Sequence, residues 1–206
     1  MRIVCLSDTH NCTPPLPPGD VLIHAGDLTS RGTYEQTHAA AEWLRTQPHQ
    51  FKLVIAGNHD FWLEREGPTV LRGLTYLQDS GIEIGGHLFW GSPWVPRFQN
   101  WAFLKDRGEA IRQQWRLIPQ ETSVLITHGP PAGIMDRVSD ELHAGCADLL
   151  RRVLEVKPLL HVFGHVHESG GVQVQAGITF ANVAYVNITP DHRPLPGRKP
   201  LVFSLG

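Results

Sequence analysis

Five short apolar runs, each breaking into a polar tip, constrain this chain more than any other feature. Residues 3–6 lead into Asp8-Thr9-His10, 21–25 into Gly26-Asp27, and 53–56 into Gly57-Asn58-His59-Asp60. Residues 124–126 lead into Thr127-His128-Gly129, and 159–163 into Gly164-His165-Val166-His167. Runs without polar alternation, closed by Gly and by Asp or Asn, read as strands buried on both faces. Helical patterns fall between several of them. Thr33 opens a capping box with Gln36, and the helix it starts runs to about Thr46, ahead of Pro48. Ile111, Trp115 and Ile118 repeat at helical spacing, as do Cys146, Leu149, Leu150, Val153 and Leu154 before Pro158. Alternating strands and helices give an α/β fold with a mixed sheet.

Two hairpins add strands. Residues 82–84 and 87–90 flank Gly85-Gly86, and 172–174 and 178–180 flank Ala176-Gly177. Residues 183–186 offer a third strand beside the second hairpin, and these later strands form a second sheet. The Pro-rich stretch 189–200 reads as a loop before a last strand, Leu201–Ser204. At 206 residues the chain is expected to be a single domain, 1–206.

In open α/β sheets the loops at strand carboxyl ends converge on one crevice. All five tips would then share one edge, collecting Asp8, His10, Asp27, Asn58, His59, His128, His165 and His167. The set holds only N and O donors and no Lys or Arg, which points to a metal site rather than an anion cradle. Of the twelve histidines, five lie in these tips. His24, His38, His49, His87, His161 and His192 have no such setting and read as structural. Eight donors exceed the four that one tetrahedral ion takes. Two ions about 4 Å apart, bridged by a carboxylate, would use them.

Other classes are excluded. Eighteen Lys and Arg against twenty Asp and Glu leave a net charge of −2, which argues against a nucleic-acid partner bound through a basic patch. No run of about 18 apolar residues is present, so no membrane span is expected. Cys5, Cys12 and Cys146 match no disulfide framework or zinc knuckle, and the first strand begins at once. A cytoplasmic location is the expectation. There is no Walker-type phosphate loop and no GxSxG elbow.

Taken together, the five blocks, in this order over residues 8–167, resemble the signature of the calcineurin-like metallophosphoesterases. Ser92-Pro93-Trp94, Thr127-His128-Gly129-Pro130-Pro131, His143-x-Gly145-Cys146 and Phe163-Gly164-His165-Val166-His167-Glu168 further resemble its metallophosphoesterase-domain-containing (fetal-brain 239-type) subgroup. That group includes phosphodiesterases acting on cyclic nucleotides. The resemblance implies a layered α/β/β/α sandwich of two mixed sheets flanked by helices, with the metal site at strand carboxyl ends. It implies that Asp8, His10 and His167 hold one divalent metal, that Asn58, His128 and His165 hold the other, and that Asp27 bridges them. His59 would face the phosphate rather than a metal, and Asp60 would orient it.

The implied activity is hydrolysis of a small phosphoester, in particular a phosphodiester such as a cyclic nucleotide, by a hydroxide bridging the metals. His59 would protonate the leaving alkoxide. Two dications against Asp8, Asp27 and a hydroxide leave a small positive charge, which suits an anionic ester. Imidazole-rich donor sets favour Mn, Fe, Zn, Co or Ni over Mg or Ca, with Mn or Fe the first choice by resemblance. The alternatives are a phosphomonoesterase, a protein phosphatase, or a non-catalytic metal-binding interaction scaffold. Trp62, Trp94, Phe98 and Trp101 read first as packing residues, with nucleobase stacking as their other use. His143 reads first as lying outside the site.

Overall fold

The computed structural model describes residues 1–186 and 198–206. The first sheet has the order β13-β1-β2-β3-β4, built from Leu201–Ser204, Arg2–Leu6, Val21–Ala25, Phe51–Ile55 and Thr75–Tyr76. The second has the order β11-β12-β10-β9-β6-β5, built from Gly171–Gln175, Ile178–Asn182, Leu160–Phe163, Thr122–Thr127, His87–Ser92 and Ser80–Ile84. Both are mixed: β1, β2, β3 and β4 run parallel and β13 antiparallel. In the second, β6, β9, β10 and β12 run parallel while β5 and β11 close hairpins. A small parallel pair, β7 (Val95–Pro96) and β8 (Leu104–Lys105), stands apart.

Strand parity sorts the apolar side chains into layers. Ile3, Cys5, Ile23, Leu53 and Ile55 of the first sheet meet Phe89, Val124, Ile126, Leu160 and Val162 of the second. The opposite faces of β1, β2 and β3 place Val4, Leu6, Leu22 and Val54 against Ala40, Ala41 and Leu44 of α1 (Tyr34–Thr46) and Leu63 of α2 (Phe61–Glu66). Leu125, Phe163 and Phe180 turn the other way, onto α3 (Glu109–Arg116) and α4 (Ala147–Val156). Burying each large aliphatic or aromatic side chain stabilises by about 1.5–3 kcal/mol, so strands apolar on both faces can only sit inside such a stack. The four-layer expectation holds.

Some details differ from expectation. The five tips leave two sheets rather than one: three follow β1, β2 and β3, and two follow β9 and β10. Residues 183–186 form no third strand. They cross between the sheets, with Val183 N donating to Phe163 O and Ser7 N to Val183 O. Thr33 caps α1 by accepting from Gln36 N at 3.3 Å, but the Gln36 amide oxygen accepts from Arg31 N rather than closing the box on Thr33. Ile118 is buried just beyond the end of α3. Cys146 is the N-cap of α4, and Leu154 is 37% exposed because the buried stripe is Leu149, Val153 and Val156. Both hairpins form, with Gly85, Gly86, Ala176 and Gly177 all at positive φ. Residues 187–197, most of the Pro-rich stretch and His192 among them, lie outside the described residues. Among the described residues no helix is long and apolar enough to cross a membrane.

Candidate metal centre

Each tip folds back sharply as it leaves its strand. Asp8, His10, Asp27 and His165 take left-handed backbone angles, at a cost of about 1–2 kcal/mol each. Close approach of the loops depends on missing side chains. A Cβ at Gly57 would lie 2.3 Å from Asp27 Oδ1, and one at Gly164 would lie 2.0 Å from Asp8 Oδ2.

The turns bring the expected residues together. Asp8, His10 and His167 form one cluster of converging donor atoms, and Asp8, Asp27 and His128 form another. His167 Nε2 is 3.2 Å from Asp8 Oδ1, and His10 Nε2 is 4.0 Å from it. Asp27 Oδ2 lies centrally, 3.4 Å from His128 Nε2, 3.8 Å from His10 Nε2 and 4.0 Å from His59 Nε2. Asn58 Oδ1 is 2.9 Å from His128 Nε2. The His165 ring packs edge-on to His128 at 5.1 Å, and its backbone N–H donates to Asp8. His59 also falls in a cluster with His10 and Asp27, so proximity by itself does not separate it from the ligand positions.

The imidazole tautomers are set from behind. Nδ1 of His10 faces the carbonyl of Thr29 at 3.2 Å, that of His128 faces Ala25 at 2.9 Å, and that of His167 faces Val186. A carbonyl only accepts, so each Nδ1 carries a proton, and Nε2, when it holds no second proton, turns its lone pair inward, as second-sphere partners of metal ligands do. His128 Nε2 and Asn58 Oδ1 then present two lone pairs to one another, which a proton or a cation between them makes favourable. With Asp8 and Asp27 both buried beside them, this donor set fits divalent cations.

The electrostatics follow from burial and crowding. Burial disfavours the Asp8 and Asp27 carboxylates, but His167 and His128 more than offset it and hold both well below the usual range. Burial opposes the charged form of His128, yet Asp27 and Asp8 push it up to about 9. Burial takes His165 down to about 3 and His10 down to about 4. Asp60 goes up to about 6, through burial first and the Asp27 charge second.

Asp60 does not orient His59 by direct contact. It accepts from Gly57 N at 2.8 Å, Thr29 Oγ1 at 2.8 Å and Thr29 N at 3.0 Å, fastening two site loops together. The partner of His59 Nδ1 is the carbonyl of Ser30, at 2.8 Å. That backbone contact had no residue-type signal to announce it.

A cavity of about 280 Å³ opens over the cluster, lined by His10, Asp27, Asn58, His59, Phe98, Gln99, Trp101, His165 and His167. Phe98 and Trp101 face it, so two of the aromatic residues are site residues rather than packing residues. Trp94 is not among the lining residues. Its Nε1 donates to Asp79 at 2.7 Å and its ring packs on Phe103. Trp62 packs against Tyr34. His143 pairs with buried Asp136 at 2.8 Å and is likewise absent from the lining. His24 and His161 are structural, bonded to Thr9 and Thr127. Gln99 lines the cavity although nothing in its sequence neighbourhood singled it out.

Comparison with known proteins gives the same family. The pattern describing the calcineurin-like phosphoesterases matches residues 1–169. Metallophosphoesterase domain-containing protein 1 of Homo sapiens is 40% identical over 94% of this chain and 69% of its own. The UPF0046 protein K07C11.7 of Caenorhabditis elegans is 40% identical over 91% of this chain and 70% of its own. Among solved structures, the phosphopantetheinyl hydrolase PptH of Mycobacterium tuberculosis superposes with a TM-score of 0.59 at 16% identity, covering 95% of each chain. That last likeness is one of fold.

Proposed function

This chain belongs to the calcineurin-like phosphoesterase family, and from that premise we propose that it is a metal-dependent phosphodiesterase acting on small substrates such as cyclic nucleotides. The family's centre is dinuclear, and the donor clusters here suit it. Asp8, His10 and His167 would hold one cation, Asn58, His128 and His165 the other, with Asp27 shared. The imidazole-rich set favours Mn or Fe among divalent ions. When bound, such ions lower the pKa of water and stabilise charge on phosphoryl oxygens.

The observation that carries the diester reading is the cavity lining. It contains no Lys or Arg among the described residues. A phosphomonoester is a dianion and calls for cationic side chains around its exposed oxygens. A diester is a monoanion whose second substituent needs a wall instead, which Phe98 and Trp101 supply. The volume, about 280 Å³, suits a small ester.

The chain's own residues have separable tasks. His59, half-buried at the cavity, turns Nε2 inward while Ser30 holds Nδ1. In its protonated form it gives the Nε2 proton to the departing alkoxide as the P–O bond breaks and takes another from solvent. Asp60 keeps the loops of Thr29 and Gly57 in register and so fixes where His59 stands. Gly164 and Gly57 let Asp8 and Asp27 approach their neighbours.

The test is a panel at fixed Mn²⁺: bis(p-nitrophenyl) phosphate, p-nitrophenyl phosphate, 2′,3′- and 3′,5′-cyclic nucleotides, and a phosphopeptide. The diesters should be hydrolysed at least about tenfold faster than the monoesters, a barrier difference of about 1.4 kcal/mol. His59→Ala should retain metal and lose about 10²–10⁴ in turnover on the cyclic nucleotides, whose leaving alkoxides need a proton, and less on the nitrophenyl esters. Preference for the monoester or the phosphopeptide would reassign the substrate, and a metal-loaded protein inert to the whole panel would favour a binding scaffold.

A further inference from the structure

The segment 97–103 does more than wall the cavity. It joins β7 to β8 and is pinned at one end: Ala102 N donates to Asn58 O at 3.0 Å, and Phe103 N donates to Glu64 Oε1 at 2.6 Å. Ala102 and Phe103 are buried in the core on the α1 side of the first sheet. Trp101, the residue just before these anchors, is therefore not free to wander. Its ring centroid lies 4.2 Å from that of His59 with the planes 36° apart. Its Nε1 donates to Gln99 Oε1 at 3.3 Å. The His59 ring also stands nearly perpendicular to that of His10, with centroids 4.7 Å apart.

One hydrogen bond from Nδ1 to Ser30 anchors the His59 imidazole at a point but leaves it free to tilt about that bond. The indole against its face removes the tilt. Delivering a proton requires placing the donor within hydrogen-bond reach of the leaving oxygen, and misplacement by about 1 Å costs about 10²-fold. We propose that Trp101 is a positioning residue that holds the His59 imidazole at the angle from which it protonates the leaving group. This rests on the phosphodiesterase reading above. In the step concerned, hydroxide oxygen bonds to phosphorus and the P–O bond to the leaving group breaks. The leaving oxygen keeps the bonding pair and takes the Nε2 proton, and His59 is left neutral. The need for that proton rises with the basicity of the leaving oxygen, so the contribution of Trp101 must rise with it.

The experiment uses the full chain with saturating Mn²⁺ and a series of aryl methyl phosphodiesters whose phenols run from weakly to strongly basic. In Trp101→Ala, kcat for the ester of the most basic phenol should fall about 10²-fold while that of the nitrophenyl ester falls less than about threefold, because misplacing a donor costs most where its proton is needed. Trp101→Phe, which keeps a ring against His59, should retain the wild-type dependence and covers the case in which the alanine variant does not fold. Adding Trp101→Ala to His59→Ala should steepen nothing further. A readout independent of turnover is the NMR spectrum of the metal-free protein. There the His59 ring protons should lie upfield under the indole ring current and move downfield in Trp101→Ala. Equal losses on every ester, a rise in KM alone, a further loss in the double variant, or unshifted His59 protons would overturn the proposal while leaving the phosphodiesterase reading intact. A wild type inert to the whole series would instead remove that reading, and the role of Trp101 with it.

Discussion

The two sheets contribute unlike halves to the site. Loops after β1, β2 and β3 bring the carboxylates of Asp8 and Asp27, with His10, Asn58 and His59. Loops after β9 and β10 bring only imidazoles, His128, His165 and His167. Neither half is a sensible arrangement by itself: buried like charges on one side, and desolvated bases on the other. Apposition resolves both, since each carboxylate lies within 3.4 Å of an imidazole from the opposite sheet. The difference teaches that this centre belongs to the seam between the sheets, and that its negative charge comes from one side of it.

That asymmetry can be broken from either side. Asp27→Asn removes charge at the point nearest both halves and should cost about 10³-fold in turnover, together with metal content measured on the purified protein, because several kcal/mol of charge stabilisation depend on the ions it would hold. His165→Ala, from the imidazole side, should reduce affinity for one ion and leave the other in place. Equal losses of both ions in the two variants would erase the distinction. Gly164→Ala tests the seam itself. Its methyl would fall 2.0 Å from Asp8 Oδ2 and 2.3 Å from Ser7 Oγ. Overpacking of this kind costs about 1–3 kcal/mol in thermal or denaturant stability, with weakened metal binding alongside.

The smallest expected effect compares His24 with His161, one buried in each sheet. Burial takes both from 6.5 down to about 3, but Asp8 and Asp27 pull against it at His24 alone. Both stay neutral in the folded protein while the unfolded chain takes up protons below pH 6.5. Stability is therefore complete above that pH and lost as it falls toward the folded value, at up to about 1.4 kcal/mol per unit for each group. His161→Asn should flatten this acid limb by about that slope in denaturant titrations of metal-free protein. An unchanged limb would mean that His161 is protonated in the folded state.

The legible part of this protein was the part written in local pattern. The apolar runs and their tips named the strands and the residues that converge, and Gly85-Gly86 and Ala176-Gly177 named two turns. What stayed hidden was pairing at a distance. Nothing in the five tips says that they divide between two sheets, because a strand buried on both faces reads the same in either. Residues 183–186 look like a strand by composition, yet their hydrogen bonds go to Ser7 and Phe163 across the seam. Asp60 follows His59 and invites a direct role, while its oxygens serve the backbone of Thr29 and Gly57. Trp94 and Trp101 stand seven residues apart in the same aromatic stretch, and only the contact with Asp79 shows that one of them is turned away.

The crossing at 183–186 has a mechanical consequence. Tyr185 N donates to Ser7 O, Val186 N donates to Asp8 O, and the Val186 carbonyl faces His167 Nδ1. One residue, Val186, thus grips the aspartate from one layer and the histidine from the other. Sliding the layers past each other would pull on both at once, so the distance between these two side chains is set like the gap of a caliper whose jaws share a single screw.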